Sequence, residues 1–184
     1  MKQNKINSDN KLLMLCVTAM FAALICVATM IIQIPSPLGG YVNFGDCFIL
    51  VAAWVLGPVY GFAAGGIGSA LADVFTGYAH YVPGTFLIKG MMAVVAALIV
   101  HAFIKRSEKY RHAGYAVGAA AAEILMIGGY YLYAATFLNK GFAGAWLSVG
   151  GNAVQGAFGA IVGVVLIQVI LRTKVLRKFG GYAV

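Results

Sequence analysis

Charged side chains are scarce in this sequence: Asp, Glu, Lys and Arg make up 10% of its 184 residues, against ~25% in a soluble domain. Apolar residues reach 62%, against ~45–50% in a soluble domain, so the chain cannot clothe a water-facing surface and an ordinary soluble fold is excluded. Cysteine is limited to Cys16, Cys26 and Cys47. None forms a C-x-x-C or C-x-x-C-H pattern, which removes metal and haem attachment and leaves them as small packing residues. Nucleotide loops are missing as well. There is no G-x-x-x-x-G-K-[ST], and Gly65-Gly66-Ile67-Gly68 does not complete G-x-G-x-x-G, so the chain cannot hydrolyse ATP by itself. H-E-x-x-H is absent, His80, His101 and His112 are scattered, and Ser69 has only a short likeness to a membrane nucleophile. An intramembrane enzyme is therefore a poor reading, and no cofactor is expected.

What is present is apolar sequence in long runs. A spanning helix needs ~20 apolar residues, so the chain has room for about six. The first run, 12–34, is longer than the ~7–15 residues of a signal-peptide core and ends in no small-x-small cleavage site, so it reads as a first transmembrane helix. Pro35-Ser36-Pro37-Leu38-Gly39-Gly40 then stops any helix. The run 44–76 holds Gly57-Pro58 at its middle, a place to reverse, with Pro58 acceptable at the first position of a new helix. Three further helices are expected over 83–104, 113–138 and 144–171.

The net charge is +8, and its placement argues for a bilayer rather than nucleic acid, since no interleaved aromatic and basic surface exists. Lys2, Lys5 and Lys11 precede the first run; Lys105, Arg106, Lys109 and Arg111 share one polar break; Arg172, Lys174, Arg177 and Lys178 follow the last run. Six spans put all three clusters on one side, which the positive-inside rule makes cytoplasmic; five spans would split them. The expected architecture is an all-α polytopic membrane protein with six transmembrane helices and both termini cytoplasmic. Residues 1–11 form an N-terminal tail, 12–171 a single membrane domain and 172–184 a basic tail.

The outer connections then become 35–43, 77–82 and 139–143, and they are aromatic: Tyr41 and Phe44, Tyr78 and Tyr81, and Tyr130, Tyr131, Tyr133, Phe137, Phe142 and Trp146 near the third. Such rings form either an interfacial belt or a stacking lid over a flat ligand. Ionisable residues inside membrane segments are costly and mark functional candidates. Asp46, Asp73 and Lys89 fall in the outer half, Glu123 falls near the midplane, and Asn152 and Gln155 lie two to three turns into the last helix. Together they suit a polar cavity open to the outside. The competing reading is a structural ion pair between Lys89 and one carboxylate. Small residues recur at Gly57, Gly61, Gly65 and Ser69, and again at Gly151, Gly159 and Gly163, a pattern for close internal packing. Ala19 and Ala23, with Thr18 and Ala22 one step behind, make a similar face on the first helix that could meet a partner protein.

The stretch Gly40-Tyr-Val-Asn-Phe-Gly-Asp46, with Leu56-Gly57-Pro58-Val-Tyr-Gly61, Gly68-Ser69-Ala-Leu-Ala-Asp73 and Phe86-Leu-Ile-Lys89-Gly90, resembles the substrate-binding (S) subunits of energy-coupling factor (ECF) vitamin transporters. It is similar to the branch that takes riboflavin, pyridoxine or hydroxymethylpyrimidine. The resemblance implies a six-helix subunit of a prokaryotic plasma membrane that binds a vitamin from outside. Its partners would be an EcfT-type coupling subunit and two EcfA-type ATPases. Ala19 and Ala23 would then be the docking face and 35–43 the lid. The substrate contacts would be Tyr41, Asn43, Asp46, Asp73, Tyr78, Tyr81, Lys89, Glu123 and Asn152, although relatives often carry His where Asn43 stands. The rival to this reading is a stand-alone facilitator acting as an oligomer.

Overall fold

The computed structural model describes residues 8–31, 33–35 and 41–173. Six α-helices follow one another: α1 (Ser8–Ile31), α2 (Gly45–Phe75), α3 (Val82–Arg106), α4 (Arg111–Thr136), α5 (Gly141–Trp146) and α6 (Val149–Arg172). A 3-10 turn, Glu108–Tyr110, joins α3 to α4. Five stretches, α5 and α6 counted together, are long and apolar enough to cross a membrane.

The second of these stretches is two helices in one. Gly57 interrupts α2 with φ 83° and ψ −178°, a conformation that only glycine adopts without strain. Pro58 supplies no N–H to bridge the break. A methyl group on Gly61 would lie 2.9 Å from Cα of Ala53, and one on Gly65 would lie 3.1 Å from Ile49. These pairs are placed symmetrically about Gly57, so the chain reverses there and 58–75 runs back along 45–56. The reversal expected at Gly57-Pro58 is therefore present. The first arm has about twelve residues, or ~18 Å at the helical rise, which is short for a bilayer core of ~30 Å.

Both arms of α2 lie at the centre, and the other helices close round them through glycine. A methyl group on Gly68 would stand 2.5 Å from the carbonyl oxygen of Ala22, fixing how closely α1 approaches. Gly66 meets Phe86 of α3, and Gly90 of α3 meets the ring of Phe62. The core between them is large and apolar: Ile25, Ile49, Leu50, Trp54, Met92, Tyr115, Met126 and Ile167 are fully buried. Trp54 meets Tyr115 edge-on at 4.9 Å between ring centroids. Outward positions on α1 and α6, among them Leu15, Met20, Val27, Val154, Ile161 and Val165, are apolar and exposed, as a lipid-facing surface requires.

Three expectations need correcting. The first helix ends at Ile31 rather than at 34, because 33–35 turn extended and pair with 41–43. This antiparallel ladder matches Gln33 to Asn43 and Pro35 to Tyr41, and it is the one departure from an all-helical chain among the described residues. Pro35, which lacks an N–H, stands in the last pair of the ladder, at the end where the chain connects 35 to 41. The last helix does not begin at 144. The short α5 ends where the Ser148 hydroxyl donates to the carbonyl of Ala145 at 2.8 Å, which competes with continued helix, and α6 starts afresh at Val149. Finally, α1 begins at Ser8, inside the segment read as a tail. The lid core 36–40 and the basic residues Lys2, Lys5, Lys174, Arg177 and Lys178 lie outside the described residues.

Candidate functional site

The ladder delivers the chain into α2 through Asn43, whose side-chain carbonyl accepts from the Gly45 amide at 2.9 Å, a local turn typical of asparagine. Gly45 has no room for more: a methyl group there would collide with the Thr29 hydroxyl. Asp46 therefore lands in the first turn of α2, where the helix dipole favours a carboxylate, and it is completely buried. Its Oδ1 forms an ion pair with Lys89 Nζ of α3. Its Oδ2 accepts from Gln155 Nε2 of α6 at 2.6 Å. Gln155 Oε1 in turn accepts from the Asn43 amide at 2.9 Å and from Asn43 Nδ2 at 3.4 Å. One unbroken network thus ties the ladder, α2, α3 and α6 together, with every member buried.

An aromatic wall continues from Lys89 toward the helix turns. Lys89 Nζ lies 5.5 Å from the centre of the Tyr130 ring, a cation–π distance. The Tyr130 hydroxyl donates to Thr85 Oγ1 at 3.0 Å, and its ring meets Tyr81 at 6.4 Å. Tyr81 is buried and also touches His80 at 4.8 Å, Tyr133 at 6.2 Å and Tyr78 at 6.4 Å. Lys140 closes the wall, donating to the Tyr81 hydroxyl at 3.1 Å. Its backbone is set by Asn139 and Gly141 on either side, both with positive φ.

Glu123 stands on the α4 side of the same level. α6 passes it with glycines: methyl groups on Gly156 and Gly159 would lie 3.1 Å and 2.8 Å from its carboxyl oxygens, and the latter only 2.9 Å from Cβ of Asp46. Neither carboxyl oxygen has a hydrogen-bond partner among the described residues.

Of the residues expected to line a site, Asn43, Asp46, Lys89 and Glu123 meet at one level, and Tyr81 heads the adjoining wall beside a half-buried Tyr78. Asp73 is buried but lies elsewhere. Gly65 packs on the Lys89 backbone, and Asp73 is about two turns, or ~12 Å, further along the helix. Asn152 is half-buried on α6, and Gln155 is the residue of that helix bonded to Asp46. The side chain of Tyr41 lies outside the described residues. Thr85 and the role of Tyr130 went unread in the sequence, yet both had a signal: Thr85 is one turn before Lys89, and Tyr130 is two turns beyond Glu123, each on the same helix face.

Ala19 and Ala23 are exposed on α1, while Ala22 and Thr18 are buried.

Comparison with known proteins agrees with this architecture. The model of a family described as ECF-type riboflavin transporter, S component, matches residues 9–172. An uncharacterized protein of Pyrococcus woesei, described by its place in the gap 3' region, is 38% identical over 140 residues, covering 76% of this chain and 88% of that protein. The fold is similar to that of the S component of a bacterial ECF transporter, with a TM-score of 0.64 at 20% identity, over 89% of this chain and 98% of the other. The match over residues 9–172 and the long apolar helices lead to one conclusion: this multi-pass membrane protein belongs to the ECF-type riboflavin transporter S component family, whose members are substrate-binding parts of transporters and not enzymes.

Proposed function

We propose that the chain is the substrate-specificity subunit of an ECF-type importer in a prokaryotic plasma membrane. It binds a small water-soluble vitamin or precursor from outside and hands it to an EcfT-type coupling subunit driven by two EcfA-type ATPases. Pyridoxine and hydroxymethylpyrimidine are the favoured substrates and riboflavin the alternative. The observation that carries this reading is the buried network of Asn43, Asp46, Lys89 and Gln155 where the 33–35/41–43 ladder enters α2, joined to a wall of tyrosines. A polar floor with an aromatic side is what a flat heterocycle with few charges needs. The nine residues expected as contacts remain candidates in this reading, with Asp73 and Tyr78 toward the mouth.

Both arms of α2 cross the membrane in this proposal, giving six spans with the termini in the cytoplasm and 12–171 as one domain. The basic residues at 105–111 then face inward, as the positive-inside rule requires, and Lys140 faces outward. Ala19 and Ala23 form the docking face for the coupling subunit, since small residues permit close helix contact within the bilayer.

One experiment tests orientation and outward binding together. A cysteine replacing Lys140 should react with a membrane-impermeant thiol reagent in whole cells, and pyridoxine, hydroxymethylpyrimidine or riboflavin should slow the reaction. A cysteine replacing Lys109 should not react. Labelling at position 109 alone would invert the topology. Labelling at both would mean that α4, which lies between the two positions, does not cross the membrane.

A further inference from the structure

Charge is sorted between the two ends of the bundle. Asp46, Lys89 and Glu123 are buried toward the ladder end. The helices reverse one after another, with Gly66 meeting Phe86, Gly114 meeting Phe103 and Gly163 meeting Leu50. Lys11 of α1, Lys105 and Arg106 of α3, Lys109 of the 3-10 turn, Arg111 of α4 and Arg172 of α6 therefore gather at the opposite end. Against them the described residues there offer Asp9 and Glu108. Glu108 is taken by Arg111, at 2.7 Å. The side chains of Lys105, Arg106 and Lys109 are exposed and have no ion-pair partner among the described residues.

Exposed apolar surface leads up to these three cations. On α3, Leu98, Ala102 and then Lys105 and Arg106 follow at helical spacing along one face, all of them exposed. Tyr110, beside Lys109, is 45% exposed. A methyl group on Gly114 would stand 2.8 Å from Cβ of Phe103, so α3 and α4 press together just where the turn joins them, and the three cations are held within a short stretch of surface. A free anion would use the charges and ignore the apolar column. A molecule with an anionic head and a hydrocarbon tail uses both, and each basic residue just beyond a span is worth about fivefold in affinity for an anionic lipid.

We propose that Lys105, Arg106 and Lys109, with the exposed face of α3 that leads to them, retain an anionic phospholipid, its phosphate among the basic groups and an acyl chain along Ala102 and Leu98. The inference goes beyond the vitamin-binding reading and needs only that α3 and α4 span the bilayer. The positive-inside rule explains why basic residues collect at one end, but it predicts no hold on any particular lipid, and the test separates the two accounts.

The purified full chain is equilibrated in mixed micelles with equal amounts of dioleoylphosphatidylglycerol and dioleoylphosphatidylcholine, which share their acyl chains, then washed, and the retained lipids are quantified by mass spectrometry. The wild type should retain the anionic lipid at least about tenfold over the zwitterionic one, and high salt should shrink that ratio. Lys105→Gln/Arg106→Gln/Lys109→Gln should bring it to within about twofold of unity, whereas Lys105→Arg/Arg106→Lys/Lys109→Arg should keep it. Glu108→Gln removes the neighbouring acid and releases Arg111, so it should raise the ratio. All four side chains are exposed, so melting temperatures without added lipid should match the wild type. Equal retention of both lipids by the wild type, or a preference that survives in the triple glutamine variant, would overturn the inference. So would displacement of the anionic lipid by inorganic phosphate, which would mark a site for free anions instead.

Discussion

Replacing Lys89 with Met is expected to destabilise the protein severely, by about 3–5 kcal/mol, because it strands the Asp46 carboxylate in a fully buried position. Asp46 has no water to turn to, being completely buried. Its remaining partner, Gln155 Nε2, is a neutral donor that cannot balance a charge. The damage should travel, since Gln155 also holds the Asn43 amide and through it the entry to α2. Adding Asp46→Asn to the same chain removes the stranded charge and keeps an acceptor for Gln155, so the double variant should regain at least half of the lost stability. Thermal melts of the purified single and double variants decide the matter. A single variant that melts like the wild type, or a double variant no better than the single, would show that the pair does not hold the helices together.

The second large effect concerns coupling rather than folding. Ala19 and Ala23 lie one turn apart, and both are exposed, whereas Ala22 packs against Gly68 inside the subunit. Bulk at the exposed pair should therefore spare the fold and obstruct only a partner helix, because close contact in the bilayer depends on small residues. Cells that express the coupling subunit and ATPases together with Ala19→Leu/Ala23→Leu should lose uptake of the vitamin almost completely. The purified variant should bind that vitamin within about twofold of the wild type, a difference of only ~0.4 kcal/mol. Loss of binding in parallel with uptake would place the pair in internal packing. Full uptake by cells that lack the coupling subunits would favour the facilitator.

The long apolar helices were legible in the sequence because apolar length is a one-dimensional signal, and even the reversal of α2 could be read from Gly57-Pro58. The site was legible as a set of residue types but not as partners. Lys89 had three carboxylates to choose from. Asp46 is its partner because the glycines at 65, 66 and 90 fix how α2 and α3 slide along each other, and that register appears only when the helices pack. Gln155 rather than Asn152 meets Asp46 for a related reason: the two are most of a turn apart on α6, and the rotation of α6 is set by Gly156, Gly159 and Gly163 pressing on Glu123, Asp46 and Leu50. The break between α5 and α6 was hidden because Ser148 stops the helix through a hydroxyl bond to Ala145, a competition that serine loses in many helices.

Native mass spectrometry of the chain, extracted gently and purified without added vitamin, tests the central claim most directly. A one-to-one adduct with the mass of a small aromatic heterocycle, displaced by an excess of pyridoxine, hydroxymethylpyrimidine or riboflavin and released chemically unchanged, is the expected result. A chain that carries only lipid and takes up no adduct from any of those vitamins, or that releases a converted product, would contradict a substrate-binding subunit.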